Sequence, residues 1–297
     1  MMFKNLSPSA LGISGHQSEI IELALTYGFA GMDLNIVEHA SAVRLRGAEY
    51  ARRLIESARI RIGFFPLPVD LGADDAEFKT QREKLAEYAA LAAELGCTRT
   101  IAVVPSASDT RPYHENFEVY RQRLADIGAA LTPSGVRLAL GFQSAESLRK
   151  GRAFQFIHDL EALSLLVNMV ASPSVGLLID TWELAAVGAT AETISKLSPA
   201  QIVAVQVADY PAQLPEQGDP ARLLPGDESG TGQTAPMLAA LQALGYNGPV
   251  TPKVARSSFS TRKRDMVVKQ AGEALDRVWK AAGLSVEPRR QTPAGRE

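Results

Sequence analysis

Short runs of consecutive apolar residues alternate along this chain with longer segments whose apolar residues recur every three or four positions. The runs fall at 10–14, 31–36, 61–67, 100–105, 136–142, 175–180, 202–209 and 249–254. Apolar runs of this length, without polar alternation, suit strands covered on both faces, as in a parallel sheet. The segments between them, such as SEIIELALTYG at 18–28 and EFKTQREKLAEYAALAAELG at 77–96, carry an apolar stripe and stop at glycine. That is the pattern of amphipathic helices. Helices are likewise predicted within 116–135, 154–170, 234–245 and 263–283, with the faintest pattern at 189–198.

Strict alternation means that each strand returns by a crossover and lies parallel to the last. Eight such units without a linker predict a single (β/α)8 barrel over residues 1–284, with a disordered tail at 285–297. The competing open doubly wound sheet favours a glycine-rich phosphate loop after the first strand. The chain has only a G-x-x-G there, in GISG. In a barrel the chemistry sits where strands end. The candidates are therefore His16 after the first run, Asp33 in the second, Asp180 and Glu183 after the sixth, Gln206 in the seventh and Lys253 in the eighth.

Composition narrows the partners. Of 297 residues, 22% are charged and the net charge is −2, so no cationic face offers itself to nucleic acid. No apolar run approaches the ~18 residues of a membrane span. The N-terminus shows no signal-peptide pattern. The single cysteine, Cys97, excludes an intramolecular disulfide and is expected to be a buried structural thiol. These features predict a cytoplasmic protein, with homo-oligomerisation left open.

Four stretches, VGLLIDTWELAAVG, IVAVQVADYP, ARLLPGDESGTG and LQALGYNGPVTPKV, resemble the C-terminal half of the xylose-isomerase-like barrel family; GFAGMDL and FFPLPVDLG agree more loosely in the first half. That family holds sugar isomerases, sugar epimerases and dehydroshikimate dehydratases. The resemblance implies a divalent metal at the barrel mouth, held by a Glu ending the fifth strand, an Asp ending the sixth, a His or Gln in the seventh and a Glu in the eighth. This chain has Gly141, Asp180, Gln206 and Lys253 at those positions, and Glu183 where the family has a second His. The family's substrate-contacting loop arginine corresponds to Arg222.

A carboxylate replaced by an ammonium changes the local charge by two units. Like charges ~4 Å apart repel by about 4 kcal/mol even at an effective dielectric of 20. The expectation is a mouth with no metal and no cofactor, in which Lys253 pairs with Asp180 and Glu183. Lys253, Glu183 and His16 are then the candidate catalytic groups. Asp180, Gln206, Arg222, Asp33 and Trp182 are candidates to bind a small sugar-like ligand. Structural roles compete at each position. Lys253 can simply neutralise Asp180, Glu183 can favour a helix N-terminus, and His16 can begin a helix. Two further readings stand beside the first. One is a non-catalytic ligand- or partner-binding descendant. The other is a metal isomerase or dehydratase with a site rearranged around Asp180, Glu183, Gln206 and Asp33.

Overall fold

The computed structural model of the chain describes residues 1–286; the tail expected at 285–297 falls almost wholly outside the described residues. Eight strand positions form the barrel wall. They are β1 (Phe3–Leu6), β2 (Gly31–Met32), β3 in two pieces (Arg61–Ile62 and Phe65–Pro66), β4 (Arg99–Val103), β5 (Arg137–Gly141), β6 (Val175–Asp180), β7 (Ile202–Val207) and β8 (Pro249–Pro252). Every adjacent pair is parallel, and β8 pairs with β1. The circle closes through β3, which changes partner midway. Gly63 N–H donates to Met32 O of β2, whereas Leu67 N–H donates to Ile101 O of β4.

The run at 175–180 is apolar throughout because both of its faces are covered. Leu177 and Ile179 pack outward into the main core beneath the helices. Leu178 faces inward, joining Ala139, Val203 and Ala204 in a separate small cluster inside the barrel. Gly141 and Asp180 continue the inward-facing series by the two-residue strand period. A Cβ on Gly141 would stand 3.0 Å from Leu178 Cδ2.

The first strand differs from the sequence expectation. Residues 9–11 form a 3-10 turn, closed by Gly12 in the left-handed conformation (φ 62°). The strand is instead Phe3–Leu6, whose Asn5 is fully buried. Its side chain points between two glycines. A Cβ on Gly31 would come within 3.0 Å of Asn5 Oδ1, and one on Gly63 within 2.3 Å. The barrel therefore makes room for a polar side chain by removing two apolar ones. Two helices, Ile36–Arg46 and Ala48–Ala58, follow β2 where a longer strand and loops were expected. The predicted helix at 77–96 is two helices, Asp75–Glu83 and Leu85–Glu94, meeting at Lys84. Among the described residues no helix is long and apolar enough to cross a membrane.

Candidate functional site

β6 ends on Asp180 and a helix, Thr181–Ala186, starts at once. Asp180 caps it, with Oδ1 accepting from Trp182 N at 3.1 Å. The same oxygen accepts from Arg222 Nη1 at 2.9 Å, and Oδ2 accepts from Lys253 Nζ at 3.2 Å. One turn on, Glu183 Oε1 accepts from Arg222 Nη2 at 2.6 Å. Its other oxygen accepts from the Ser144 N–H at 2.8 Å and from Ser144 Oγ at 2.6 Å. Arg222 thus bridges two buried carboxylates. Its guanidinium carbon lies 4.5 Å from the Trp182 ring centroid, and Trp182 Nε1 donates to Ala221 O at 3.0 Å. Planar charge over an indole face is itself attractive.

The loop after β7 carries Arg222 into place. Asp209, at its start, accepts from Gly226 N–H at 2.7 Å and from the Thr234 hydroxyl. Asp209 and Leu223 also form an antiparallel bridge. The Arg222 carbonyl accepts from Ser258 Oγ at 2.7 Å and from the Ala255 N–H at 3.2 Å. Asp209 is therefore a loop clasp. Burial alone pushes the Asp180 carboxyl up, but the charges of Arg222 and Lys253, with their hydrogen bonds, outweigh it and hold the group down at about 2. The two carboxylates in turn raise Arg222 above its usual range despite its burial.

Lys253 reaches Asp180 as expected but makes no ion pair with Glu183; Arg222 does that instead. Trp182, expected at the ligand, is 4% exposed and lies under the guanidinium. Glu183, expected to move a proton, has both oxygens engaged. His16, expected at the mouth end of the first strand, is an exposed residue capping the helix Gln17–Thr26, where its N–H donates to Glu19 Oε2 at 3.1 Å. The shift of β1 to Phe3–Leu6 puts His16 ten residues beyond the strand end, not at it. Gln206 is buried level with Asp180 and Thr251, and its Oε1 has no partner among the described residues. Among those residues no three His, Cys, Asp or Glu side chains come together as a metal-holding group.

Asp33 follows β2 and belongs to a second polar cluster. Asn5 Nδ2 donates to Asp33 Oδ1 at 2.7 Å and lies 3.1 Å from Thr251 Oγ1. Asp33 Oδ2 and Asn5 Oδ1 are left without partners. Burial pushes the Asp33 carboxyl up to about 8, more than the hydrogen bonds from Ser7 and Asn5 can lower it. Asp33 also borders a cavity of about 640 Å³, which opens over the ends of β1–β3 beside Ile13, Asn35 and Leu67. Asp180, Arg222 and Lys253 do not line that cavity.

Because the folded Asp33 binds its proton more tightly than the unfolded chain does, its contribution to stability is greatest below pH 4. It falls by up to about 1.4 kcal/mol per pH unit from there toward pH 8. Asp33→Asn is expected to remove that slope, so urea melts at pH 5 and pH 8 should agree better in the variant than in the parent. Equal slopes in the two proteins would contradict a protonated Asp33.

Sequence reasoning missed Ser144, Asn5, Thr251 and the burial of His39, which is 7% exposed on the helix Ile36–Arg46 rather than in a polar loop. Only Asn5 left a trace, as a polar residue inside FKNL.

No curated protein sequence matches the chain. Solved structures do. A xylose isomerase domain protein from Alicyclobacillus acidocaldarius is 22% identical, with a TM-score of 0.84 over 95% of this chain and 100% of that one. A D-psicose 3-epimerase from Clostridium cellulolyticum H10, solved with D-tagatose, is 13% identical, with a TM-score of 0.70 over 95% of this chain and 99% of that one. The probable 3-DHS dehydratase AsbF of Bacillus anthracis is 14% identical, with a TM-score of 0.67 over 93% of this chain and 99% of that one. At these identities the likeness is one of fold. Residues 21–278 match the profile of the xylose isomerase-like TIM barrel, and the chain belongs to that family.

Proposed function

We propose that this barrel binds a small polyhydroxylated, sugar-like ligand at its mouth, and that Arg222 and Lys253 supply the positive charge a divalent metal supplies elsewhere in the family. The observation that carries the reading is the state of Asp180. Both of its oxygens are committed to cations. The donor set does not fit a metal. Gly141 offers no ligand, Lys253 offers a charge of the wrong sign, and oxygen-ligated cations need several carboxylates. Two supports point to a polyol. Gln206 Oε1, Asn5 Oδ1 and Asp33 Oδ2 lack donors, and buried acceptors of this kind are ordinarily satisfied. The cavity beside Asp33, at the same end of the barrel though not lined by Arg222 or Lys253, is of ligand size. The D-psicose 3-epimerase and the probable dehydratase among the structural neighbours agree with such a ligand class.

The engaged oxygens of Glu183 and the exposed position of His16 favour binding without turnover. Catalysis, as the second reading, rests on Lys253. Its side chain is 30% exposed, and its ammonium can donate to an oxyanion developing on the ligand. A thermal-shift screen of monosaccharides, polyols and cyclic hydroxy acids tests the proposal, with turnover followed by NMR for every hit. The expectation is at least one stabilising compound whose effect is lost in Lys253→Gln. A screen without hits, or hits indifferent to Lys253→Gln, would overturn it.

A further inference from the structure

The opposite end of the barrel holds two arginines without an acidic partner. Arg99 begins β4 and Arg137 begins β5, paired side by side in register. Arg99 reaches across the barrel, its Nε donating to Val203 O at 2.9 Å and its Nη1 to Thr98 Oγ1 at 3.3 Å. Arg137 Nε donates to Pro173 O at 3.1 Å and its Nη2 to Ala200 O at 2.6 Å. A Cβ on Gly176 would stand 2.4 Å from Gln201 O, 2.7 Å from Val203 Cγ2 and 3.2 Å from Arg137 Nη2, so the glycine keeps this corner open. All of these acceptors are neutral. Among the described residues neither guanidinium has a carboxylate partner, and Arg99 Nη2 and Arg137 Nη1 have no protein acceptor. Burial lowers the proton affinity of Arg137, and the positive charge of Arg99 lowers it further. Both arginines line one polar cavity of about 170 Å³, together with Thr98, Tyr246 and Asn247.

We propose that this cavity at the N-terminal face binds a small tetrahedral oxyanion of the phosphate or sulfate class. Two neighbouring guanidiniums, each with one terminal nitrogen still without a protein acceptor, suit such an ion by charge and by N–H donation. An anion also removes the repulsion between two like charges held together by the fold. The cavity has room for one such ion with accompanying water. The site lies at the far end from Asp180 and does not depend on the reading of the mouth. It ties β4, β5 and the segments before β7 and β8 together. Bound anion is therefore expected to stabilise the fold rather than to react.

Thermal melts in inorganic phosphate, sulfate and chloride at matched ionic strength provide the test, with phenyl phosphate as an added arm. Phosphate and sulfate are expected to raise Tm over chloride by about 3 °C or more at saturation. Arg99→Gln and Arg137→Gln should lose that difference. Should either fail to fold, the exposed Asn247→Asp, which places a carboxylate at the cavity rim, should abolish it with both arginines intact. A matching response to phenyl phosphate identifies a phosphate carried on a larger molecule; a response to inorganic ions alone identifies the free ion. Equal Tm in phosphate and chloride, or an undiminished phosphate effect in Asn247→Asp and the arginine variants, would overturn the assignment.

Discussion

Arg222→Ala is expected to destabilise the protein by about 3–5 kcal/mol, the cost of leaving buried charges without their partner. Asp180 and Glu183 are each 5% exposed, and Arg222 contacts both. Lys253 would remain for Asp180, but Glu183 would keep only Ser144. At roughly 2–4 °C per kcal/mol for domains of this size, Tm should fall by roughly 6–20 °C. The pH dependence identifies the cause. Asp180 has an ordinary value of 3.8 and is held at about 2 in the fold. Its ion pairs therefore stabilise the fold fully above pH 4, and this stabilisation is lost as pH falls through 2. The gap between parent and Arg222→Ala should accordingly narrow on acidification below pH 4. Lys253→Ala should cost less, about 1 kcal/mol, because the Lys253 side chain is 30% exposed and screened by water. Equal losses from the two substitutions would contradict the bridging role given to Arg222.

Restoring carboxylates should bring back a cation site. Gly141→Glu with Lys253→Glu places acids at both positions where the family has Glu, around Asp180 and Gln206. The lysine half reverses two units of local charge and frees Asp180 Oδ2. The glycine half is feasible in backbone terms, since Gly141 is not among the positive-φ glycines. Its obstacle is the Leu178 Cδ2 methyl, 3.0 Å from the new Cβ, which a rotamer change can move aside. The double variant is expected to be stabilised by Mn²⁺ by about 2.7 kcal/mol at one hundred times its Kd. That corresponds to a Tm rise of roughly 5–10 °C.

Legibility in the sequence followed burial chemistry. VGLLID could be read because six residues buried on both faces have no polar position until the terminal Asp180. FKNL could not, because Lys4 and Asn5 are both buried and polar; Lys4 pairs with Asp276 and Asn5 fills the space two glycines leave. The helix Ile36–Arg46 was lost when Ile36 was read as the end of a strand. Within the site, Asp180, Gln206 and Lys253 were visible from their places at strand ends. The bridge by Arg222 was not, because it depends on how the loop after β7 folds back, clasped by Asp209 and by Ser258. Ser144 had no signal at all; it matters only because the turn after β5 brings its N–H and hydroxyl to the same Glu183 oxygen.

Two side-chain cations, Arg222 and Lys253, are proposed to stand where the family's metal would be. Calorimetric titration of Mn²⁺ into the parent protein, beside the Gly141→Glu/Lys253→Glu variant, tests that placement most directly. No saturable heat is expected in the parent, and one-to-one binding is expected in the variant. Stoichiometric Mn²⁺ binding by the parent, unchanged by the double substitution, would contradict it.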